Sequence, residues 1–338
     1  MKPLFHRLQR LLILSHYISV YKLVNLFKLT LSYLVSSIRT HKFLNIYPLF
    51  ISVEVTNFCN LHCTECPVGI DSNLKHNKSS FNFSLFRKLI DELKPRLQHV
   101  ILYFQGEPFL NNQLIEFIQY THHAGIYTTT STNGQFLNKK NAQEVVLSGL
   151  DKIIISIDGS TQSVYESYRV GGSLQKAIDG IRLLVEWKKT LKSVTPLIEI
   201  QFLVLKTNEH QMNEMKRLTK SLEADRLTFK SAQLYDFENG NKLLTSKKRY
   251  ARYKKTKDGK YVIKGRQSNR CWRLWSGGVI NVHGEVLPCC FDKSSEHSFG
   301  NIDKNSFLNC WHSNKASEFR GSLLKNRKQF DMCRNCTS

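Results

Sequence analysis

The chain has 338 residues, 41% of them hydrophobic, and a formal charge of +22. This composition excludes wholesale disorder and leaves room for one large domain plus a smaller one. Nine cysteines in a chain of this length exclude the short secreted disulfide scaffold. No small-residue cleavage site follows the basic start at Lys2, Arg7 and Arg10, so a cytoplasmic, reducing setting is expected, with cysteines available for metal.

The charge is unevenly placed. No acidic residue precedes Glu54, and a second basic stretch, 242–273, contains only Asp258. Such stretches suit anionic partners (phosphorylated small molecules, nucleic acid or a membrane surface) or form a solvated face. In residues 1–47, Leu23, Leu26, Phe27, Thr30, Leu31, Leu34, Val35 and Ile38 recur at helical spacing, with Lys22, Asn25, Ser32, Ser36 and Arg39 on other faces. Lys22 and Lys28 leave this segment too short and too charged to span a bilayer. It can lie on an anionic membrane as an amphipathic helix, or dock on the protein's own core or on another subunit.

From residue 51 a repeat begins. Apolar runs at 51–56, 99–104, 126–132, 152–158, 197–205 and 226–230 read as strands. Helical patterns near 84–94, 112–123, 139–148, 174–189 and 209–222 separate them. This alternation predicts a parallel sheet with right-handed crossovers, and six strands are too few for a closed eight-stranded barrel. The expected fold is α/β, a partial (β/α)6 barrel of the TIM type. Its active site belongs at the carboxyl ends of the strands.

Those ends carry distinctive residues. The first strand runs into CNLHCTEC (59–66), the second into QGEP (105–108), the third into STNG (131–134) and the fourth into SIDG (156–159). Three thiolates spaced C-x3-C-x2-C can hold three corners of a four-iron cubane and leave one iron open. Zinc, the first rival, prefers pairs two to four residues apart with a second pair downstream. The other motifs are weak singly, but their placement at successive strand ends is poorly explained by chance.

Together these motifs resemble those of the radical S-adenosylmethionine (SAM) enzymes, over residues 50–338. By that resemblance Cys59, Cys63 and Cys66 ligate a 4Fe–4S cluster, and the SAM amine and carboxylate chelate its open iron. Phe58 or His62 packs on the cluster or the adenine, or is structural. Gly106 and Glu107 correspond to the family's Gly-Gly-Glu-Pro motif, which holds the SAM amine; Gln105 replaces its first glycine. Ser131 and Asn133 match ribose-binding residues, and Ser156 and Arg169 match contacts on the carboxylate side. An external low-potential donor of the flavodoxin or ferredoxin type is implied.

The last seventy residues or so hold six cysteines, with VINV and EVLP reading as two short strands around His283-Gly284. The pattern of Cys271, Gly284 and Cys289, followed by Cys333-x2-Cys336, resembles the auxiliary domain of the SPASM/Twitch subfamily. With no cysteine after Cys336, it is most like the shortened Twitch arrangement of 2-deoxy-scyllo-inosamine dehydrogenase, an alcohol-oxidising member. That resemblance implies a second 4Fe–4S cluster on Cys271, Cys289, Cys333 and Cys336, acting in electron transfer. A zinc ribbon is the alternative. Cys290 and Cys310 read as buried filler or substitute ligands, and Asp292 as a substrate-side base or a turn residue.

The expected organisation is an amphipathic segment (1–47), a radical SAM core (48–232), a basic linker (233–269) and a Twitch-like domain (270–338). The expected reaction is hydrogen abstraction from an anionic, alcohol-bearing small molecule, with the auxiliary cluster as electron acceptor. Peptide modification and a non-catalytic metal scaffold at a membrane are the alternatives. Residues 1–47 are the expected point of any peripheral membrane contact, and nucleic acid is not an expected partner.

Overall fold

The strands are runs of β-branched and apolar residues with no polar face to show. Ile153, Ile154 and Ile155 are all buried, as a strand covered on both sides requires. The computed structural model describes residues 17–36, 46–70, 78–265 and 267–337, together with Ile13 and Ser15. Within them, β1 (Phe50–Val53), β2 (His99–Ile101), β3 (Tyr127–Thr132), β4 (Lys152–Ser156), β5 (Leu197–Val204) and β6 (Arg226–Ser231) lie side by side, all parallel.

The helices, in chain order, begin with α1 (Val20–Val35), α2 (Pro67–Ile70), α3 (Phe83–Leu93) and α4 (Leu114–His123). They continue with α5 (Lys139–Leu147), α6 (Gln162–Glu166), α7 (Leu174–Thr190) and α8 (Met212–Ser221). Local sequence sets several starts: the Asn82, Asn138 and Ser173 side chains accept the N–H groups of Leu85, Asn141 and Lys176, capping α3, α5 and α7. The helix expected over 209–222 opens instead with a 3-10 turn, Glu209–Gln211. The basic linker is not formless: β7 (Tyr253–Lys255) and β8 (Tyr261–Ile263) form an antiparallel hairpin within it.

The expected boundary at residue 270 is crossed by the sheet. After α9 (Trp272–Ser276), β9 (Gly277–Ile280) pairs in parallel with β1, and β10 (Val286–Leu287) returns antiparallel to it. The sheet therefore has eight strands, in the order β10-β9-β1-β2-β3-β4-β5-β6. Two glycines permit this close approach. A Cβ on Gly277 would lie 2.5 Å from the Phe50 ring, and one on Gly278 would lie 2.9 Å from Trp311. After a run of turns, the C-terminal part ends in helices: α10 (Phe307–Trp311), α11 (Asn314–Lys325) and α12 (Asp331–Arg334).

Helix α1 docks on the barrel by its polar side. Lys22, Asn25 and Leu29 are buried, whereas Leu23, Phe27, Leu31, Leu34 and Val35 of the expected apolar stripe face solvent. Ser19 caps its start, accepting the Lys22 N–H. Ile38 and Arg39 lie outside the described residues.

Candidate active site

The cysteine loop is pinned on three sides. Gly106 adopts φ +70°, and a Cβ there would come within 2.3 Å of the Thr56 carbonyl, so only glycine lets the QGEP turn lie against the chain entering the loop. The Glu107 N–H then donates to the Phe58 carbonyl at 2.9 Å. On the second side, the N–H groups of His62 and Thr64 donate to the carbonyls of Val170 and Tyr168, tying the loop to the YRVGG segment. On the third, Gly69 in α2 presses on the Cys63 backbone, where a Cβ would stand 2.6 Å from the carbonyl oxygen.

Cys63 is buried, and Cys59 and Cys66 are half-buried. Burial pushes the Cys59 thiol up to about 12, and the charges of Glu107, Cys63 and Cys66 act in the same direction, against the Leu61 N–H. Burial raises Cys63 too, partly offset by Arg169, whose Nη1 lies 3.9 Å from its sulfur. Three crowded thiols suit cationic iron, which deprotonates its sulfur ligands even where burial opposes ionisation, as at Cys59 and Cys63. The donor set fits the cluster expected there.

Around this loop the strand ends interlock. The buried Glu107 carboxylate accepts the Thr132 hydroxyl at 2.7 Å, the Asn133 N–H at 2.8 Å and the Phe109 N–H at 3.2 Å. Burial nonetheless lifts its pKa to about 7. The Asn133 amide donates to Asn60 at 2.8 Å and lies 3.7 Å from the Cys59 sulfur. Ser131, half-buried, and Ser156, buried, share one face of the sheet through the register Ser131↔Ile154. Arg169 pairs with Asp158 at 2.6 Å, and the other oxygen of Asp158 accepts the Leu203 N–H. Gly106, Glu107, Asn133 and Arg169 are thus gathered around the cysteine loop. Asp158 and Asn60 were missed by sequence reading, although Asp158 stands in the SIDG strand end itself.

All nine cysteines are free thiols. Cys271, Cys289, Cys333 and Cys336 line one apolar cavity with Leu274, Phe319, Leu323 and Met332. Neither carboxylate nor imidazole reaches that wall, while Arg273 and Arg327 supply positive charge. The Gln267 amide gathers the terminal turn by donating to the carbonyls of Cys333 and Cys336. A dry, sulfur-only cage with cationic neighbours fits a fully ligated cluster. Cys310 is core filler: it is buried among apolar residues beneath Gly300, away from this wall. Cys290 is not filler, for it accepts from Arg273 at 2.9 Å and faces a second cavity.

That second cavity, of about 260 Å³, occupies the barrel interior. Phe50, Ser52, Ile101 and Tyr103 line it from β1 and from β2 and its exit; Arg273, Cys289, Cys290, Phe291 and Lys293 line it from the C-terminal part. Lys293 is held in low dielectric, with its pKa lowered by burial, and the sulfurs of Cys66, Cys289 and Cys290 all act on its charge. Its Nζ lies 4.1 Å over the Phe104 ring and 3.4 Å from the Phe104 carbonyl. Asp292 does not line this cavity. Its two carboxylate oxygens accept the N–H groups of Glu296 and His297, each at 3.0 Å, which is the work of a turn acid rather than of a free base.

Residues 53–201 match the radical SAM superfamily, and residues 271–337 match SPASM, an iron–sulfur cluster-binding domain. The Pyrococcus furiosus tungsten-containing aldehyde ferredoxin oxidoreductase cofactor-modifying protein is 22% identical, covering 85% of this chain and 87% of its own. A PqqA peptide cyclase from Bradyrhizobium diazoefficiens is 23% identical, covering 81% and 76%. The fold is similar to BtrN in complex with AdoMet and 2-DOIA (TM-score 0.52, 19% identity, 87% of this chain and 95% of that one). It is also similar to Streptococcus suis SuiB (TM-score 0.62, 14% identity, 84% and 68%). SAM and 4Fe–4S clusters are the cofactors these two domains imply. The chain belongs to the radical SAM superfamily and is an enzyme of its SPASM-bearing branch.

Proposed function

We propose that this enzyme oxidises an alcohol on an anionic small molecule bound in the barrel cavity. The observation that carries the reading is the shared wall: Cys289 lines both the barrel cavity and the four-cysteine cavity. A molecule in the barrel would therefore sit one residue away from an electron acceptor. When bound, the first cluster and SAM supply a 5′-deoxyadenosyl radical, which takes a hydrogen atom from carbon. Oxidation to a carbonyl also releases one electron, for the auxiliary cluster, and one hydroxyl proton.

The chain's own residues account for the rest. Lys293 and Arg273 give the cavity two cations for an anionic group. Glu54 directly follows β1, two residues beyond Ser52, which lines the cavity. Its Oε2 accepts the Val282 N–H, and the Gln105 backbone and the Lys293 charge also act on the carboxylate. Burial brings its pKa to about 7, which suits a base working near neutrality. In this reading Glu54 takes the hydroxyl proton. Glu107, Asn133 and the Arg169–Asp158 pair hold the SAM-side loops in register around Cys59, Cys63 and Cys66. Peptide modification, the chemistry named for the PqqA relative, is the second reading; a cavity of about 260 Å³ favours a sugar-sized molecule.

The test is to reconstitute the protein anaerobically, reduce it, and screen phosphorylated and carboxylated polyols. The expected result is 5′-deoxyadenosine and a ketone or aldehyde in equal amounts, with Glu54→Gln lowering carbonyl formation about 10²-fold or more. Turnover of a peptide, with no polyol accepted, would overturn the reading.

A further inference from the structure

Helix α1 is held with its apolar side turned outward. The Lys22 ammonium donates to the Gly125 carbonyl at 2.7 Å. The Asn25 side chain exchanges two hydrogen bonds with the Tyr47 backbone, at 2.9 and 3.0 Å. Arg270 donates to the Tyr33 carbonyl and lies 4.4 Å over its ring, while Trp272 and Trp275 meet that ring edge-on. These contacts fix the rotation of the helix about its axis. The opposite side carries Val20, Leu23, Val24, Phe27, Leu31, Leu34 and Val35, an arc of about 120° at helical spacing. Val20 is 73% exposed and Phe27 is 70% exposed. A continuous stripe of this kind, about 24 Å long, is an interaction surface rather than ordinary scattered exposure.

We propose that this stripe seats the enzyme on an anionic phospholipid surface, with α1 lying flat in the interface. The electrostatics select that occupant. Residues 1–53 contain seven Lys and Arg and no acidic residue, and the whole chain carries +22. A second copy on this face would bring two acid-free segments together, whereas an anionic bilayer complements them. Exposed Tyr21 and Lys28 border the stripe, as an aromatic ring and a snorkelling cation do at the level of the headgroups. Among the described residues no helix is long and apolar enough to cross a membrane, so the contact is peripheral. This inference does not depend on the reaction proposed above.

The experiment is flotation of the full-length protein with two kinds of vesicle, phosphatidylglycerol–phosphatidylcholine and phosphatidylcholine alone. Flotation with the first, weak flotation with the second, and loss at high salt are expected. Phe27→Glu with Leu31→Glu should weaken binding at least tenfold, and Lys28→Glu about fivefold. These side chains face solvent, so an unchanged thermal midpoint verifies the fold of each variant. Failure to float with anionic vesicles overturns the proposal, as does equal flotation of the double variant. A dimer in sedimentation velocity that the double variant converts to monomer also overturns it, because the face would then belong to a second copy.

Discussion

The two cysteine sites are built on opposite physical plans. The N-terminal site is a loop clamped by hydrogen bonds to the QGEP turn and the YRVGG segment, with three thiols and polar neighbours in Asn133 and Arg169. The C-terminal site is a closed apolar cage with four thiols. Three ligands leave an iron to which a small molecule can bind; four ligands and a dry wall leave only electrons to exchange. The polar clamps fit a site that must grip a charged cofactor. The apolar cage fits one that must hold its cluster tightly and tune its potential. The barrel cavity shares Cys289 with the second.

This contrast can be broken most severely at the first loop. Cys59→Ala should abolish 5′-deoxyadenosine formation and lower iron from about eight to about four per chain, by iron assay. Retained SAM cleavage would end the assignment of that loop. The next largest effect concerns the polar clamps. Arg169→Ala leaves Asp158 buried and uncompensated, so about 3–5 kcal/mol of stability should be lost, read as a shift in denaturant midpoint.

A pH titration sharpens the comparison further. Glu54 has its folded pKa raised from the usual 4.5 to about 7, so the proton is bound more tightly in the folded state. Its contribution to stability is therefore full below pH ~4.5 and is lost as the pH rises through ~7. Glu54→Gln should remove about 2–3 kcal/mol of that pH dependence, measured as the difference between the two stability profiles. The smallest effect is expected from Glu107→Gln, whose one oxygen can keep either the Thr132 hydroxyl and Phe109 N–H or the Asn133 N–H, but not all three. It should cost about 1–2 kcal/mol and weaken SAM binding, measured calorimetrically.

Most of the barrel was legible because its strands are apolar runs bounded by turns, and strand ends are where α/β folds place their chemistry. The cysteines carried their own spacing. What sequence reading lost was partnership at a distance. The pairing of Gly277–Ile280 with β1 is non-local, and only the absence of side chains at Gly277 and Gly278 hinted that a strand could pack there. Glu54 and Lys293 belong to no motif; folding buries both, and Lys293 lines the barrel cavity. Asp292, read as a base or a turn residue, accepts two N–H groups of its own turn, which sequence alone does not show. The face of α1 was read correctly as amphipathic, but periodicity says which residues share a side, not which side docks. Lys22 and Asn25 decide that through hydrogen bonds to the backbone of Gly125 and Tyr47.

The central claim is that the four-cysteine cage accepts the electron released by substrate in the barrel. The most direct test compares the wild type with Cys333→Ala/Cys336→Ala by Mössbauer spectroscopy and product analysis on the same anaerobic samples. Two 4Fe–4S clusters in the wild type are predicted, and one in the variant, which should still cleave SAM but no longer oxidise substrate. Zinc in the cage of the wild type, or oxidation by the variant at the wild-type rate, would contradict the account.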